Sequence, residues 1–199
     1  MMKRAFDIIF SLVGLVLLFP LLVIVALLIK CDSQGPVFFK QERMGRGFRP
    51  FWIYKFRTMR QASNGFPLTV GGDPRITRVG RLLRKTKIDE LPQLFNVLKG
   101  EMTFVGPRPE VRQFVELFRD DYEEILKMRP GITDIASLKY QNEADILGRF
   151  QNPEKEYLRL ILPDKTRLAK EYLKRASFFF DLVLILKTLS KLFGKLDRK

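Results

Sequence analysis

The sequence predicts an α+β fold, mostly helical, in which an N-terminal re-entrant membrane helix hairpin, a small β-hairpin and interfacial amphipathic helices surround a carboxylate site. Three observations lead there. Residues 5–29 carry a single charge, Asp7. Two short alternating apolar runs follow them, and basic stretches with helical spacing follow those. The chain has 199 residues, room for one domain. The expected division is a hairpin over 1–30 and a domain over 31–199, joined as one structural unit.

Composition narrows the chemistry. Lys and Arg total 36 against 22 Asp and Glu, a net charge of +14. Nucleic acid, phospholipid headgroups and phosphorylated small molecules all suit that charge. There is no histidine, which excludes His-dependent zinc sites and Ser-His or Cys-His nucleophile pairs. Cys31 is the only cysteine; it excludes an internal disulfide and fits a reducing compartment. Acid–base or nucleophilic chemistry therefore falls to Asp, Glu, Lys, Tyr or Ser/Thr.

The first element is the apolar run, flanked by Lys3-Arg4 and Lys30. A signal peptide fits poorly, because the run is long and no small-residue cleavage site follows it. A spanning helix is the stronger rival, since 25 residues at about 1.5 Å each exceed a core of roughly 30 Å. Two features favour a re-entrant hairpin over it. Pro20 is a membrane bend in the interior of the run. Both flanks are basic, with Lys40, Arg43, Arg46 and Arg49 continuing the second one. The positive-inside rule holds both ends in the cytoplasm.

Val37–Gln41 and Phe51–Arg57 read as strands joined through a Met44–Gly47 loop. Alternation places Phe51, Ile53, Lys55 and Arg57 on one face and Trp52, Tyr54 and Phe56 on the other. Lys55 and Arg57 then point together, as a phosphate site or as a solvated or lipid-facing rim. Gly65 to Asp73 reads as a loop, and Pro74 as the first turn of a helix. In that helix Ile76, Val79, Leu82 and Leu83 alternate with Arg75, Arg78, Arg81, Arg84 and Lys85. Such a basic amphipathic helix lies on an anionic membrane surface or contacts DNA, and the preceding membrane segment favours the membrane.

Next comes Lys87-Ile88-Asp89-Glu90-Leu91-Pro92. Pro92 biases Leu91 away from helical geometry and opens a helix over Gln93–Lys99. Asp89 and Glu90 then stand at a break, where carboxylates converge. Paired carboxylates after a cationic run suit a magnesium-assisted phosphate reaction; an ordinary capping acid pair fits the same pattern. Gly106-Pro107-Arg108-Pro109 reads as a stiff loop that presents Arg108 to phosphate, or as a structural turn. Glu116, Asp120, Asp121, Glu123 and Glu124 read as the solvated face of a helix. Arg129–Thr133 reads as a turn, residues 154–174 as a helix, and Phe178–Leu192 as an amphipathic segment with a basic tail.

Taken together, these motifs resemble the bacterial sugar transferases, the monotopic polyprenol-phosphate hexose-1-phosphate transferases or phosphoglycosyl transferases. The resemblance runs through Lys3-Arg4-Ala5-Phe6-Asp7, the apolar segment with Pro20, Gly35–Gln41 and Tyr54–Met59. It continues through Asp89–Gly100, Val105–Glu110 and Arg129–Thr133, and closes on Ser177 with Asp181-Leu182. It implies transfer of sugar 1-phosphate from a UDP-sugar to polyprenol (undecaprenyl) phosphate, releasing UMP. That reaction is the first membrane step of glycoconjugate or polysaccharide synthesis. It also implies Asp89 as nucleophile and Glu90 as its partner, a metal ligand or general base, with Asp89 and Glu90 as the candidate ligands of Mg2+. Lys55, Arg84 and Arg108 would hold phosphates, and Arg57 is a further candidate from the strand pattern. The expected location is the cytoplasmic face of the bacterial inner membrane, with membrane lipids as partners, no nucleic acid, and the oligomeric state open.

One segment departs from the family. Many relatives continue Pro-Gly-Ile-Thr with Gly-Trp and a Gln-Val-Asn-Gly-Arg run, whereas this chain reads Asp134-Ile135-Ala136-Ser137-Leu138-Lys139-Tyr140. No sugar-specific residue is assigned there. A membrane-anchored nucleic-acid module explains the charge but leaves Asp89-Glu90 idle, and a purely structural interfacial protein would show no turnover.

Overall fold

The computed structural model describes residues 2–60 and 69–194. The first part of the loop expected from Gly65 and the basic tail at 195–199 lie outside them. Helix α1 spans Met2–Asp32 as one helix with Pro20 inside it. The expected bend at Pro20 therefore does not divide the segment into two helices joined by a turn. The reason is physical. Proline removes a single ladder bond, whereas an open turn in hydrocarbon would strand several backbone groups. Among the described residues, α1 is the one helix long and apolar enough to cross a membrane.

One stripe of α1 is buried: Asp7, Ser11, Leu15, Val25 and Ile29. At about 100° per residue these fall within roughly 80° of one another, and Pro20 projects from the opposite, exposed side. Both ends of the helix dock on the same body. Near the N-terminus Lys3 pairs with Asp181 at 2.7 Å, and Arg4 donates to the Val97 and Leu98 carbonyls at 2.6 and 2.9 Å. Asp7 accepts from the Thr103 hydroxyl and the Phe104 amide. At the other end, the Asp32 carboxylate accepts the Val79 amide at 3.1 Å.

Strands β1 (Phe38–Met44) and β2 (Pro50–Phe56) pair antiparallel, with Phe38 opposite Phe56 and Met44 opposite Pro50. Helix α2 covers Arg78–Thr86, so it starts four residues after Pro74. The Thr77 hydroxyl caps it by accepting from Gly80 N–H at 2.9 Å. Asp73 holds the Arg75 amide and guanidinium in a turn instead. Packing of Val25 and Ile29 of α1 with Phe56 and Leu83 ties membrane helix, hairpin and α2 together.

After α2, Lys87 adopts a left-handed conformation at φ 59°, and a 3-10 turn spans Ile88–Glu90. Leu91 is helical (φ −55°, ψ −35°), so the break stands at Lys87 rather than before Pro92. Helix α3 follows over Gln93–Lys99. Strand β3 (Thr103–Val105) pairs in parallel with β4 (Gly131–Thr133), which the sequence presents as a turn. A side chain on Gly131 would strike the Gly106 backbone, so the two glycines let these chains meet. The acidic stretch forms two helices, α4 (Arg112–Leu117) and α5 (Arg119–Ile125), broken at Phe118. Glu116 pairs with Arg119, and Asp121 and Glu124 with Lys170, at the surface. Short helices α6 (Ile135–Lys139), α7 (Glu143–Leu147) and α8 (Pro153–Glu156) lead through a π-turn at Tyr157–Ile161 into α9 (Leu162–Arg175). Helix α10 (Phe178–Gly194) ends the described chain beside the start of α1, with Phe178 edge-on to Phe6.

Arg57 lies away from Lys55. Its guanidinium donates to the carbonyls of Ser33 and Gln34 at 2.7 Å each and to the Ser33 hydroxyl at 3.0 Å. It caps the end of the membrane helix, where carbonyls face a cation. Arg57→Ala is expected to lower stability by about 2–3 kcal/mol, the scale of buried hydrogen bonds to a charged group. Denaturant unfolding in detergent measures it.

Candidate active site

Three segments distant in sequence meet at one carboxylate. The left-handed Lys87 turns the chain so that Ile88–Glu90 can wind tightly, and this presents Glu90 between two cations. Lys55 of β2 donates to Glu90 Oε1 at 2.9 Å. Arg108 Nη2 donates to the same oxygen at 2.6 Å, while its Nη1 stands 3.5 Å from Oε2. All three are at least partly buried. Burial raises Glu90, but Arg108, Lys55 and Lys87 outweigh it and hold the carboxyl well below its usual range. Burial lowers Lys55, and Glu90 partly restores it.

Asp89 has a different environment. It is 8% exposed, and its Oδ1 is buried without a hydrogen-bond partner. Burial first, and the neighbouring Glu90 second, push its carboxyl up, against the pull of Lys55, Lys87 and Arg84. Arg84 approaches from α2, with Nε donating to the Thr58 hydroxyl at 2.8 Å and the Asp89 charge acting on it. The structure therefore gathers Asp89, Glu90, Lys55, Arg84 and Arg108, and it leaves Arg57 bound to the carbonyls that follow α1 and Pro20 within α1.

Among the described residues no group of three or more His, Cys, Asp and Glu could hold a metal ion. Mg2+ asks for less, since it commonly takes one or two carboxylates and leaves the remaining positions to phosphate and water. The orphaned Asp89 oxygen fits that role. Glu90, already holding two cations, fits it less well.

Two buried residues here escape sequence reasoning. Gln93 opens α3 four residues after Asp89, 1% exposed, and its Nε2 has no partner. Its spacing from Asp89 was the available signal. Asp134 accepts from the Arg108 backbone N–H, a contact between segments that no local pattern announces.

The architecture is thus a long apolar helix laid against a small α+β body, with a carboxylate pair set among cations. The pattern of the family described as bacterial sugar transferase matches residues 1–195, and the chain belongs to that family. It is 41% identical over 198 residues to the UDP-N-acetylgalactosamine-undecaprenyl-phosphate N-acetylgalactosaminephosphotransferase of Aeromonas hydrophila, covering 94% of this chain and 42% of that protein. It is 36% identical over 197 residues to the UDP-glucose:undecaprenyl-phosphate glucose-1-phosphate transferase of Escherichia coli, covering 96% and 40%. With the exopolysaccharide production protein PSS of Rhizobium leguminosarum it shares 48% over 147 residues, 69% of this chain and 74% of that one. The chain thus spans about two fifths of the length of the first two relatives.

The opposite shifts of the two carboxylates give opposite stability effects. Glu90's folded pKa is depressed, so its contribution is complete above its ordinary 4.5 and is lost as pH falls through the folded value. Glu90→Gln is expected to cost about 3–5 kcal/mol, because Lys55 and Arg108 lose a buried partner. Asp89's folded pKa is raised above 3.8, so stability falls as pH climbs from there through the folded value. Asp89→Asn is therefore expected to raise the melting temperature at neutral pH, with the gain shrinking toward acid. Melting curves between pH 3 and 8 (about the span over which carboxylates titrate) test both signs.

Proposed function

We propose that the chain transfers sugar 1-phosphate from a UDP-sugar to undecaprenyl phosphate, releasing UMP and forming undecaprenyl diphosphate sugar. The observation that carries this is the unpartnered, buried oxygen of Asp89 beside a Glu90 clamped by Lys55 and Arg108. An Asp89 oxygen attacks the sugar-bearing phosphorus. A new aspartyl O–P bond forms, and the bond to the bridging oxygen breaks, leaving that oxygen and its electron pair on UMP. An oxygen of undecaprenyl phosphate then attacks the same phosphorus and frees Asp89 as carboxylate. One nucleophile serves both half-reactions, so kinetics are ping-pong.

The side chains divide the remaining work. Lys55 and Arg108 have donors left after binding Glu90, and these, with Arg84, meet the charge of the diphosphate. Glu90 keeps those cations oriented and its own charge beside Asp89. Mg2+, held by whichever Asp89 oxygen does not attack, would supply further neutralisation of the diphosphate.

The same reading has α1 enter and leave one leaflet of the bacterial inner membrane, with the domain at the cytoplasmic face. Support comes from Lys3, Arg4 and Asp7 at one end and Asp32 at the other, all bound to the same body. A helix with its ends on opposite sides of a bilayer could not keep both contacts. The exposed Pro20 on the outward side lets the helix bend toward the domain.

UMP release is the assay. Relatives of similar identity are named for glucose and for N-acetylgalactosamine, so a panel of UDP-sugars with undecaprenyl phosphate is the substrate set. Asp89→Asn is expected to abolish turnover while membrane binding persists. A donor-only burst of UMP, with labelled sugar phosphate kept on the protein, is expected of wild type. UMP release only in the presence of acceptor would argue for direct transfer instead. Chelator should stop release and Mg2+ restore it; full activity in chelator would remove the metal from the scheme.

Topology has its own test. Cys31 is the only thiol and is exposed, and Met2→Cys adds a second at the other end. In sealed cells an impermeant reagent should miss both and reach both after lysis. Labelling of either from outside would overturn the one-leaflet reading.

A further inference from the structure

We propose that Asp134, in the segment that departs from the family pattern, is a positioning residue that fixes the backbone of Arg108 and thereby aims its guanidinium at the phosphate site. The proposal rests on the reading of Arg108 as a phosphate-binding group.

Asp134 is 2% exposed and accepts two bonds from different segments. Its Oδ1 takes the Ser137 N–H at 2.6 Å and so caps α6. Its Oδ2 takes the Arg108 N–H at 3.2 Å. A helix cap needs only the first of these. The second reaches the one backbone donor available in 107–109, because Pro107 and Pro109 have no N–H.

The neighbours of Arg108 are tied elsewhere. Gly106 N–H donates to the Thr133 carbonyl at 3.1 Å, the Pro107 carbonyl accepts from Gly131 N–H at 3.0 Å, and the Glu110 carbonyl accepts from Met44 N–H at 2.9 Å. These contacts hold both shoulders of the loop and leave its centre to Asp134. The Arg108 side chain is long, so a small backbone rotation moves its fork relative to Glu90 by a large fraction of an ångström. Misplacement on that scale costs rate steeply. A glycine at 134 would offer no acceptor.

Asp134→Ser separates the two duties, since serine still caps a helix but is one atom shorter and has no second oxygen to reach the Arg108 N–H that Oδ2 now holds. The substitution is expected to lower kcat/KM for the UDP-sugar about tenfold or more. In an Arg108→Ala background the same change should alter kcat/KM by less than about twofold, the mark of residues acting through one another. An equal loss in both backgrounds would overturn the proposal. Amide hydrogen exchange gives a readout that needs no turnover. Asp134→Ser should speed exchange at the Arg108 amide by about tenfold or more, with the rest of α6 still protected. Unchanged exchange there would also overturn it. If wild type releases UMP from no UDP-sugar, the functional reading fails, and the exchange result still decides whether Asp134 holds Arg108.

Discussion

The Glu90 clamp is the interaction on which the site's architecture depends. A carboxylate inside the protein needs partners, and Glu90 takes two cations that its own helix cannot supply. Lys55 arrives on β2 and Arg108 on the loop between β3 and α4. Each must therefore be delivered by a separate packing contact. Phe51 and Ile53 of β2 pack with Val97 and Met102, which carries Lys55 to the start of α3. The parallel pairing of β3 with β4 brings the Arg108 loop to the same place. Breaking the pair would leave a buried charge unmatched, so stability and site geometry are enforced together.

The membrane helix is part of this arrangement. Its buried stripe makes polar contacts at both ends and apolar contacts between them. Arg57 shows how the two are coupled: it follows β2 directly, two residues after Lys55, and caps the end of α1. Arg4 does the converse, binding the carbonyls of Val97 and Leu98 at the end of α3, the helix that follows the Ile88–Glu90 turn. The exposed apolar side of α1 faces away from the domain, so lipid can solvate it without disturbing these ties.

Much of the site was legible in the sequence because its chemistry is local. Asp89, Glu90 and the proline-flanked Arg108 stand out by residue type and spacing, and α3 has the bounds the sequence suggests. The misreadings share a cause, in that tertiary contacts override local signals. Pro74 looks like a helix start, yet Asp73 bonds Arg75, Ile76 bridges to Met59, and Thr77 takes the cap. Strand alternation put Arg57 beside Lys55, but alternation predicts direction from the backbone, and a long side chain reaches the nearest set of bare carbonyls. Gly131–Thr133 becomes a strand only because Thr103–Val105 lies alongside. Asp134 could not be read as a partner of Arg108, since 26 residues separate them.

The absence of histidine leaves this site to create a contrast between two adjacent carboxylates by environment alone. Both are buried, and burial pushes both upward. Glu90 is drawn down because Arg108 and Lys55 bond it directly, whereas Asp89 has an unpartnered oxygen and feels Lys55, Lys87 and Arg84 through charge alone. Glu90's charge adds to the burden on Asp89. Two groups of one type are thus driven in opposite directions, the condition under which neighbouring acids take distinct roles. Glu90 is drawn toward its charged form by the two cations it holds, and Asp89 beside it is left with an unpartnered oxygen.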